Sequence, residues 1–464
     1  DLNDETNGDN DLVKYTFQKN YMKTDFIDIG VAVVDVHNGS ISAVNGGRTK
    51  NGLLNNSNAT LQDKQPGSTA KPFFAYGPYI EYNNGNPGTI FFDSPMSYSN
   101  GASLKNSDGA YRGSMTMREA LSTSRNIPAV QAFMATDKNS IGNFVHKCGF
   151  DYGTDLYESY AIGGGLNVSP LDMAAAYATL ARGGYYIKPY SYTKIEFLET
   201  DEVYEHKYEK IEAMSPETAY MLNDILMTAA AQGVGGNITT RNTDIGSKTG
   251  TSTYDSNALK IYGLPSSASM DNWGVTYSPD TVISVWYGVN KELTPNKDRV
   301  TDPIKAHNER RILTGVLSSL IFKSGSRFSK PSGIISSQYE EESNPAELPS
   351  NYTPSDLIST ELFKKGTEPS EVSERFSQLE NPTNGNALVS SNLITLSWNE
   401  IKTPNAINQT YLEKTFKELY GQFAENYLNK RIEYNNANIG QIGYQVYLST
   451  PSGLQPLGYT LDTT

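Results

Sequence analysis

Gln65-Pro66-Gly67-Ser68-Thr69-Ala70-Lys71-Pro72-Phe73 sets a serine directly after a Pro-Gly turn and a lysine three residues further on. On one helical turn these positions share a face, so Ser68 and Lys71 come together. A serine hydroxyl is a weak nucleophile until a base takes its proton. A lysine serves as that base only where burial or nearby cations keep part of it neutral. Ser-x-x-Lys recurs at Ser191 and Lys194, so the pair alone is equally the first turn of an ordinary helix.

Two further segments carry related chemistry. In Ser122-Thr123-Ser124-Arg125-Asn126-Ile127-Pro128, Ser124 and Asn126 project together from a loop between helical segments. The serine can relay a proton and the asparagine can hold an amide. Both residue types also favour helix caps, and Ser-x-Asn recurs at Ser390 to Asn392 and Ser397 to Asn399. Ile245-Gly246-Ser247-Lys248-Thr249-Gly250-Thr251-Ser252 reads as a short edge strand with a cation and hydroxyls beside a glycine. Such a strand can pair with an extended peptide, and its N–H groups can stabilise an oxyanion. An ordinary polar strand has the same composition, and Lys323-Ser324-Gly325 is a similar triplet.

Composition narrows the classes. The 464 residues are long enough for two or three domains. No run approaches 18 apolar residues, and Asp1 to Glu5 lacks the basic flank and apolar run of a signal peptide. The chain is therefore expected to be cytosolic or to have lost an export segment. With 38 Lys plus Arg against 51 Asp plus Glu, the net charge of -13 repels phosphate backbones and anionic lipid, so no nucleic-acid partner is expected. The single cysteine, Cys148, excludes an intramolecular disulfide, and histidines 37, 146, 206 and 307 offer no helical zinc pair. Neither a metal nor a cofactor is expected.

Along the chain, residues 1 to 25 begin polar and acidic and read as a lead-in. Ile27 to Val44 holds two β-branched runs around His37-Asn38-Gly39-Ser40, a hairpin signal. Helices are predicted after Ser68 and over Thr116 to Thr123, Pro128 to Met134, Pro170 to Arg182 and Pro216 to Gln232, where apolar residues recur at three and four. Asp271 to Tyr277 and Thr281 to Val289 read as strands about the turn Ser278-Pro279-Asp280. The pattern predicts a mixed α/β domain over residues 26 to 330 whose sheet is closed by late strands. Residues 331 to 382, rich in Ser, Glu, Pro and Asn, read as a linker. From 383 to 464, strand-like Leu393 to Trp398, Gly443 to Ser449 and Leu454 to Tyr459 flank helical spacing at Leu412 to Leu428. This reads as a small β-sandwich-like module with a helical insertion.

Order and surrounding text decide between the readings. Ser68, Ser124 and Lys248 fall in sequence, and the set Ser-x-x-Lys, Ser-x-Asn, Lys-Thr-Gly resembles that of penicillin-binding proteins and serine β-lactamases. The flanking segments resemble the transpeptidase domain of bifunctional, class A penicillin-binding proteins. They include Met117-Arg118-Glu119-Ala120-Leu121, Asn126 to Val130 and Gly163-Gly164-Gly165 before Ser169-Pro170-Leu171. Others are Arg182-Gly183-Gly184-Tyr185 and Trp273-Gly274-Val275-Thr276-Tyr277-Ser278-Pro279. The likeness runs from about Ile27 to Val289 and thinly to Gly366-Thr367-Glu368-Pro369. It implies an α/β, β-lactamase/transpeptidase-like fold: a central antiparallel sheet flanked by helices, with a helical subdomain.

The resemblance also implies roles. Ser68 would attack the penultimate D-Ala carbonyl of a D-Ala-D-Ala stem peptide, with Lys71 as base. Ser124 would pass the proton to the leaving amine, and Asn126 would hold the substrate amide or the Lys71 amine. Lys248, with Thr249 and Thr251 around Gly250, would bind the terminal carboxylate, and the oxyanion would sit between the N–H groups of Ser68 and Thr251. The acceptor would be an amine of a neighbouring peptidoglycan stem peptide, with β-lactams as covalent inhibitors and other wall-synthesis proteins as partners. A D,D-carboxypeptidase, a non-turnover β-lactam sensor or a wall-binding protein keeps much of this text. The chain is expected to be a C-terminal fragment of a membrane-anchored protein acting outside the bacterial membrane. Its tail resembles the fibronectin type III-like tails of some Gram-positive members. Tyr254 to Met270, longer than the family pattern, reads as a surface loop.

Overall fold

The computed structural model describes residues 27–46, 60–233, 242–262, 264, 268–289, 303–341, 343, 345–420 and 424–464. The lead-in expected at 1 to 25 lies outside them. The chain divides into two compact units, Asp1–Tyr111 with Met115–Ile335, and Arg112–Ser114 with Ser336–Thr464.

The first unit is built on a five-stranded antiparallel sheet. Strands β1 (Ile27–Asp35) and β2 (Ile41–Asn45) form the expected hairpin. Asp35 Oδ1 accepts from the His37 and Asn38 amides, and Gly39 at φ +80° makes the reversal. Strands β3 (Gly246–Thr253), β4 (Ser269–Tyr277) and β5 (Thr281–Val289) follow, and the sheet order is β3-β4-β5-β1-β2. Pairing of β1 with β5, Ile27 opposite Val289 and Asp35 opposite Thr281, joins the two ends of the domain. The β4–β5 turn is held by Ser278 Oγ, which accepts from the Asp280 and Thr281 amides.

Helices α1 (Gly77–Tyr82), α2 (Met117–Ser122), α3 (Asn126–Met134), α4 (Lys138–Lys147), α5 (Pro170–Ala181), α6 (Pro216–Ala231) and α7 (Pro303–Ile321) belong to this unit, with a short helix at Ser256–Tyr262 and several short two-stranded pairings. Their starts follow from the sequence. Thr116 and Glu119 close a capping box on α2, while Ser169 and Ser215 cap α5 and α6, each followed by proline. The Ala-rich face of α5 is buried and lets the helix lie close against β1 and β5. Helix α7 covers β4 and β5, and its Leu313, Leu317 and Ile321 pack on Val33, Ile283, Val285 and Phe322. Fully burying such a side chain contributes about 1.5–3 kcal/mol, and the half-buried residues of α7 contribute part of that. The short helix at Ser256–Tyr262 falls within the stretch expected as a loop.

Residues 331 to 382 are not a linker. Strands β6 (Ile334–Glu340) and β7 (Ile358–Lys364) pair, and Tyr339 and Phe363 are buried. Glu340 is fully buried, with its carboxylate on Thr353 Oγ1, Ser373 Oγ and Arg375 Nε at 2.6, 2.8 and 2.6 Å. A few apolar anchors and one satisfied carboxylate order a stretch whose average composition is polar.

Further on, β8 (Thr383–Ser390) pairs with β9 (Leu393–Asn399), and β10 (Tyr444–Thr450) pairs with β11 (Gly453–Thr460). Helices α8 (Gln409–Tyr420) and α9 (Ala424–Asn438) form the helical insertion. The strands form two separate hairpins rather than the packed sheets of a fibronectin type III-like sandwich. Trp398 meets Tyr444 edge-on at 5.2 Å, but Leu388, Val389, Leu393 and Leu454 stay exposed. Alternating sequence marks strands and does not say which faces meet.

Candidate active site

The serine-bearing segment departs from the regular helix expected after Ser68. Gly67–Ala70 is a 3-10 turn and Pro72–Tyr76 a π-helical turn, after which α1 begins. The Lys71 amide donates to the Ser68 carbonyl, as an i to i+3 turn requires. In 3-10 geometry positions three apart eclipse, so Ser68 and Lys71 stack more directly than on an α-helix. Pro72 has no N–H to continue an α-helical ladder, which lets the next turn widen.

This turn is clamped from several sides. Thr69 Oγ1 donates to the Pro66 carbonyl at 2.7 Å, and Tyr177 Oη of α5 donates to the Thr69 carbonyl at 2.9 Å. Trp273 Nε1 of β4 donates to the Gln65 carbonyl at 2.7 Å. Asp271 is buried beside it and accepts from Ser252 Oγ and Trp286 Nε1 at 2.5 and 2.9 Å. Burial pushes this carboxyl upward against those bonds and the nearby Lys64 ammonium.

Backbone contacts bring the segments together. Gly67 has φ +54°, and a Cβ there would lie 2.8 Å from the Thr251 amide nitrogen. A Cβ on Gly250 would overlap the Pro66 carbonyl oxygen, and one on Gly163 would overlap the Gly67 carbonyl oxygen. The Ser68 turn is thus pressed between β3 and the Gly163 loop, with Thr251 beside it.

The polar centre is Ser124. Its backbone sits at φ +62°, a conformation costly for a non-glycine residue. Lys71 is fully buried, and its Nζ donates to the Ser124 carbonyl at 2.6 Å and to Asn126 Oδ1 at 2.8 Å, with Ser124 Oγ at 3.2 Å. Lys248, also fully buried, places Nζ 2.7 Å from the same Oγ and 3.0 Å from the Thr249 carbonyl. One hydroxyl therefore lies between two amines. Desolvation, then the Lys248 and Arg125 charges, hold the Lys71 pKa well below that of a free lysine, opposed by Asp93. Desolvation, then Arg310, lowers that of Lys248 to about 7.

A neutral amine has two N–H bonds, and Lys71 has two carbonyl-type acceptors within 2.8 Å. Its lone pair is then left to take a proton.

A support the sequence did not reveal lies behind Ser124. Arg125 is buried, its Nε 2.7 Å from Asp93 Oδ2 and its Nη1 2.7 Å from Asp108 Oδ2, and its Nη2 donates to the Ala110 carbonyl. Asn106 donates to Asp93 Oδ1 at 2.5 Å and accepts from the Asn126 amide at 2.8 Å. Asn126 Nδ2 donates to the Lys105 carbonyl at 2.8 Å. The arginine within Ser-Arg-Asn was the one local signal of this network; Asp93 and Asn106 carried none.

Thr249 and Thr251 are half-buried on β3, opposite Gly274 and Asn272 of β4. Every residue expected at the site, Ser68, Lys71, Ser124, Asn126, Lys248, Thr249, Gly250 and Thr251, lies on three segments that converge. Among the described residues no cluster of His, Cys, Asp and Glu could hold a metal, and no helix is long and apolar enough to cross a membrane.

The chain is similar to several proteins of one family. Penicillin-binding protein 1A/1B of Bacillus subtilis is 36% identical over 356 residues, 76% of this chain and 38% of the relative. Penicillin-binding protein 1A of Streptococcus pneumoniae is 31% identical over 283 residues, 58% of this chain and 39% of the relative. The chain thus spans about two fifths of the length of these curated relatives. The crystal structure of penicillin-binding protein 1A from Haemophilus influenzae shares the fold, with a TM-score of 0.58 at 22% identity over 75% of this chain and 54% of that one. Residues 330–378, which include β6 and β7, match the family description of the penicillin-binding protein 1A C-terminal domain. Residues 29–304 match that of the penicillin binding protein transpeptidase domain. Because this second match runs through the sheet and all three segments that meet at Ser124, the chain belongs to the penicillin-binding protein transpeptidase family.

Proposed function

We propose that this chain is a serine D,D-transpeptidase that cross-links peptidoglycan stem peptides through a Ser68 acyl-enzyme and is acylated by β-lactams. The observation that carries the reading is the convergence of two buried lysine amines on Ser124 Oγ, beside the turn that presents Ser68.

Ser68 Oγ attacks the carbonyl of the penultimate D-Ala while its proton passes to neutral Lys71. The C–N bond to the terminal D-Ala breaks, and that nitrogen receives a proton through Ser124. The amide groups of Ser68 and Thr251 take the oxyanion, while Lys248, Thr249 and Thr251 hold the substrate carboxylate. An amine of a second stem peptide then attacks the ester, forming the new amide and returning a proton to Ser68 Oγ. With β-lactams the ring C–N bond opens, but the amine remains tethered to the adduct. The reaction belongs to the extracytoplasmic face of the bacterial membrane, where stem peptides lie.

The test is intact mass after incubation with a fluorescent penicillin, beside Ser68→Ala, followed by a D-Ala-D-Ala peptide with and without an amine acceptor. Expected are a stable adduct of the whole drug on Ser68 and a peptide product carrying the acceptor. An adduct with only hydrolysed peptide makes the chain a D,D-carboxypeptidase. An adduct without peptide turnover makes it a β-lactam sensor. No adduct overturns the catalytic reading.

A further inference from the structure

Arg310 lies on α7 and is only 6% exposed, yet its Nε and Nη1 have no hydrogen-bond partner. A buried guanidinium normally has a carboxylate or carbonyl at each nitrogen, because removing the charge from water is costly. Here desolvation, with the neighbouring Arg311 charge, lowers its pKa to about 10. Among the described residues no acceptor meets this side chain at those two atoms.

Its location is specific. A Cβ on Gly274 would lie 3.3 Å from both Cγ and Cδ of Arg310 and 2.9 Å from Thr314 Oγ1, so the arginine stem crosses the sheet over that glycine. Gly274 pairs directly with Thr249 in the antiparallel ladder. Direct partners share a face, and so do residues two apart on one strand. Arg310 therefore stands on the face of β3–β4 that carries Thr249 and Thr251. Its charge is also felt by Lys248, whose amine it helps to depress. Two cations and two hydroxyl-bearing residues thus surround one stretch of edge strand, without an anion in the described structure to balance the guanidinium.

We propose that Arg310 is a specificity-determining residue that recognises the free carboxylate of the donor peptide, and the corresponding carboxylate of a β-lactam, beside Thr249 and Thr251. This rests on the acyl-enzyme reading above. A guanidinium offers two parallel N–H donors that match a carboxylate, which a lysine cannot do. The unpaired state is then the ligand-free state of a binding group, and α7, which otherwise only covers the sheet, contributes to substrate choice.

The experiment compares second-order acylation rates of benzylpenicillin and of its methyl ester on the wild-type chain, Arg310→Ala and Arg310→Lys, with thermal midpoints for all three. For Arg310→Ala the acid should lose about 10- to 100-fold, the range of one charge-assisted hydrogen bond, while the ester changes less than about 3-fold. Arg310→Lys should recover part of the loss for the acid alone. The thermal midpoint of Arg310→Ala should hold or rise, since a buried charge without an acceptor has been removed. Equal losses for acid and ester, or unchanged rates for both, overturn the proposal. Failure of the wild-type chain to be acylated by the acid overturns the acyl-enzyme reading and this inference with it.

Discussion

Lys71 Nζ donates to Asn126 Oδ1 at 2.8 Å, a contact closed between residues 55 apart in the chain. The asparagine is a neutral acceptor, so it orients the amine without a full negative charge that would favour the ammonium. Asn126→Asp introduces that charge. The Lys71 pKa should rise, and the rising limb of acylation rate against pH should move to higher pH. With the limb displaced by one pH unit, the rate at a fixed pH on its rising part should fall about tenfold. Stopped-flow acylation by a penicillin between about pH 5 and 10 spans the limb, and an unmoved limb contradicts this role for Lys71.

The two buried lysines also set a pH dependence of stability. Lys248 titrates at about 7 in the fold and near 10.5 unfolded, and Lys71 is lowered as well. Between these limits the unfolded chain binds more protons than the native one, so stability should rise with pH from about 7 toward 10. Below about 7 the Lys248 contribution is flat. Buried Tyr177 and Tyr277, pushed upward by desolvation, act in the opposite sense above about 10, where the unfolded chain loses their protons first. Urea midpoints at pH 7, 8 and 9 should increase in that order, and Lys248→Met should flatten the trend. A falling trend would contradict the depressed lysines.

Glycines at similar φ should differ sharply in tolerance. Gly163 has φ +80° and faces the Gly67 backbone, while Gly183 has φ +70° with nothing within 4 Å of a Cβ. Gly183→Ala should cost about 1–2 kcal/mol, the strain of the left-handed conformation alone. Gly163→Ala adds a backbone collision, for about 2–5 kcal/mol in all, and should also slow acylation by displacing the Ser68 turn. Denaturant melts and penicillin labelling of both variants check the contrast.

Asp93 and Arg125 form an ion pair at 2.7 Å with side chains 0% and 3% exposed. Asp93→Ala leaves the guanidinium with Asp108 and the Ala110 carbonyl only, and should cost about 3 kcal/mol. Because Arg125 and Asn106 hold the strained backbone about Ser124, acylation should fall further than the loss of folded protein explains. Comparing acylation rate per folded molecule, measured below the melting transition, tests that excess.

Much of this was legible in one dimension. Local rules sufficed where the cause was local: the helix starts near Thr116, Pro170 and Pro216, the reversal around Gly39, and the two strands about Ser278-Pro279-Asp280. The motif order named Ser68, Lys71, Ser124, Asn126 and Lys248 before any distance was known. Where the cause was distant the reading failed or fell silent. Residues 331 to 382 look like a linker because one buried carboxylate and a few aromatic anchors hardly alter an average. Three of the strands after residue 383 were visible, but β8 and its pairing with β9 were not.

The chain by itself determined which residue types stand where: a serine and a lysine three apart, a Ser-Arg-Asn turn, and a Lys-Thr-Gly strand. Only the tertiary structure decided their electrostatics. A lysine is an ordinary ammonium until packing removes its water and sets a second lysine against the same hydroxyl. Arg310, 62 positions beyond Lys248, is likewise one arginine among many in the sequence. It gains a role only because α7 folds back over Gly274 and buries its charge without a partner. Desolvation and close approach depend on which surfaces meet, and distant parts of the chain supply those surfaces.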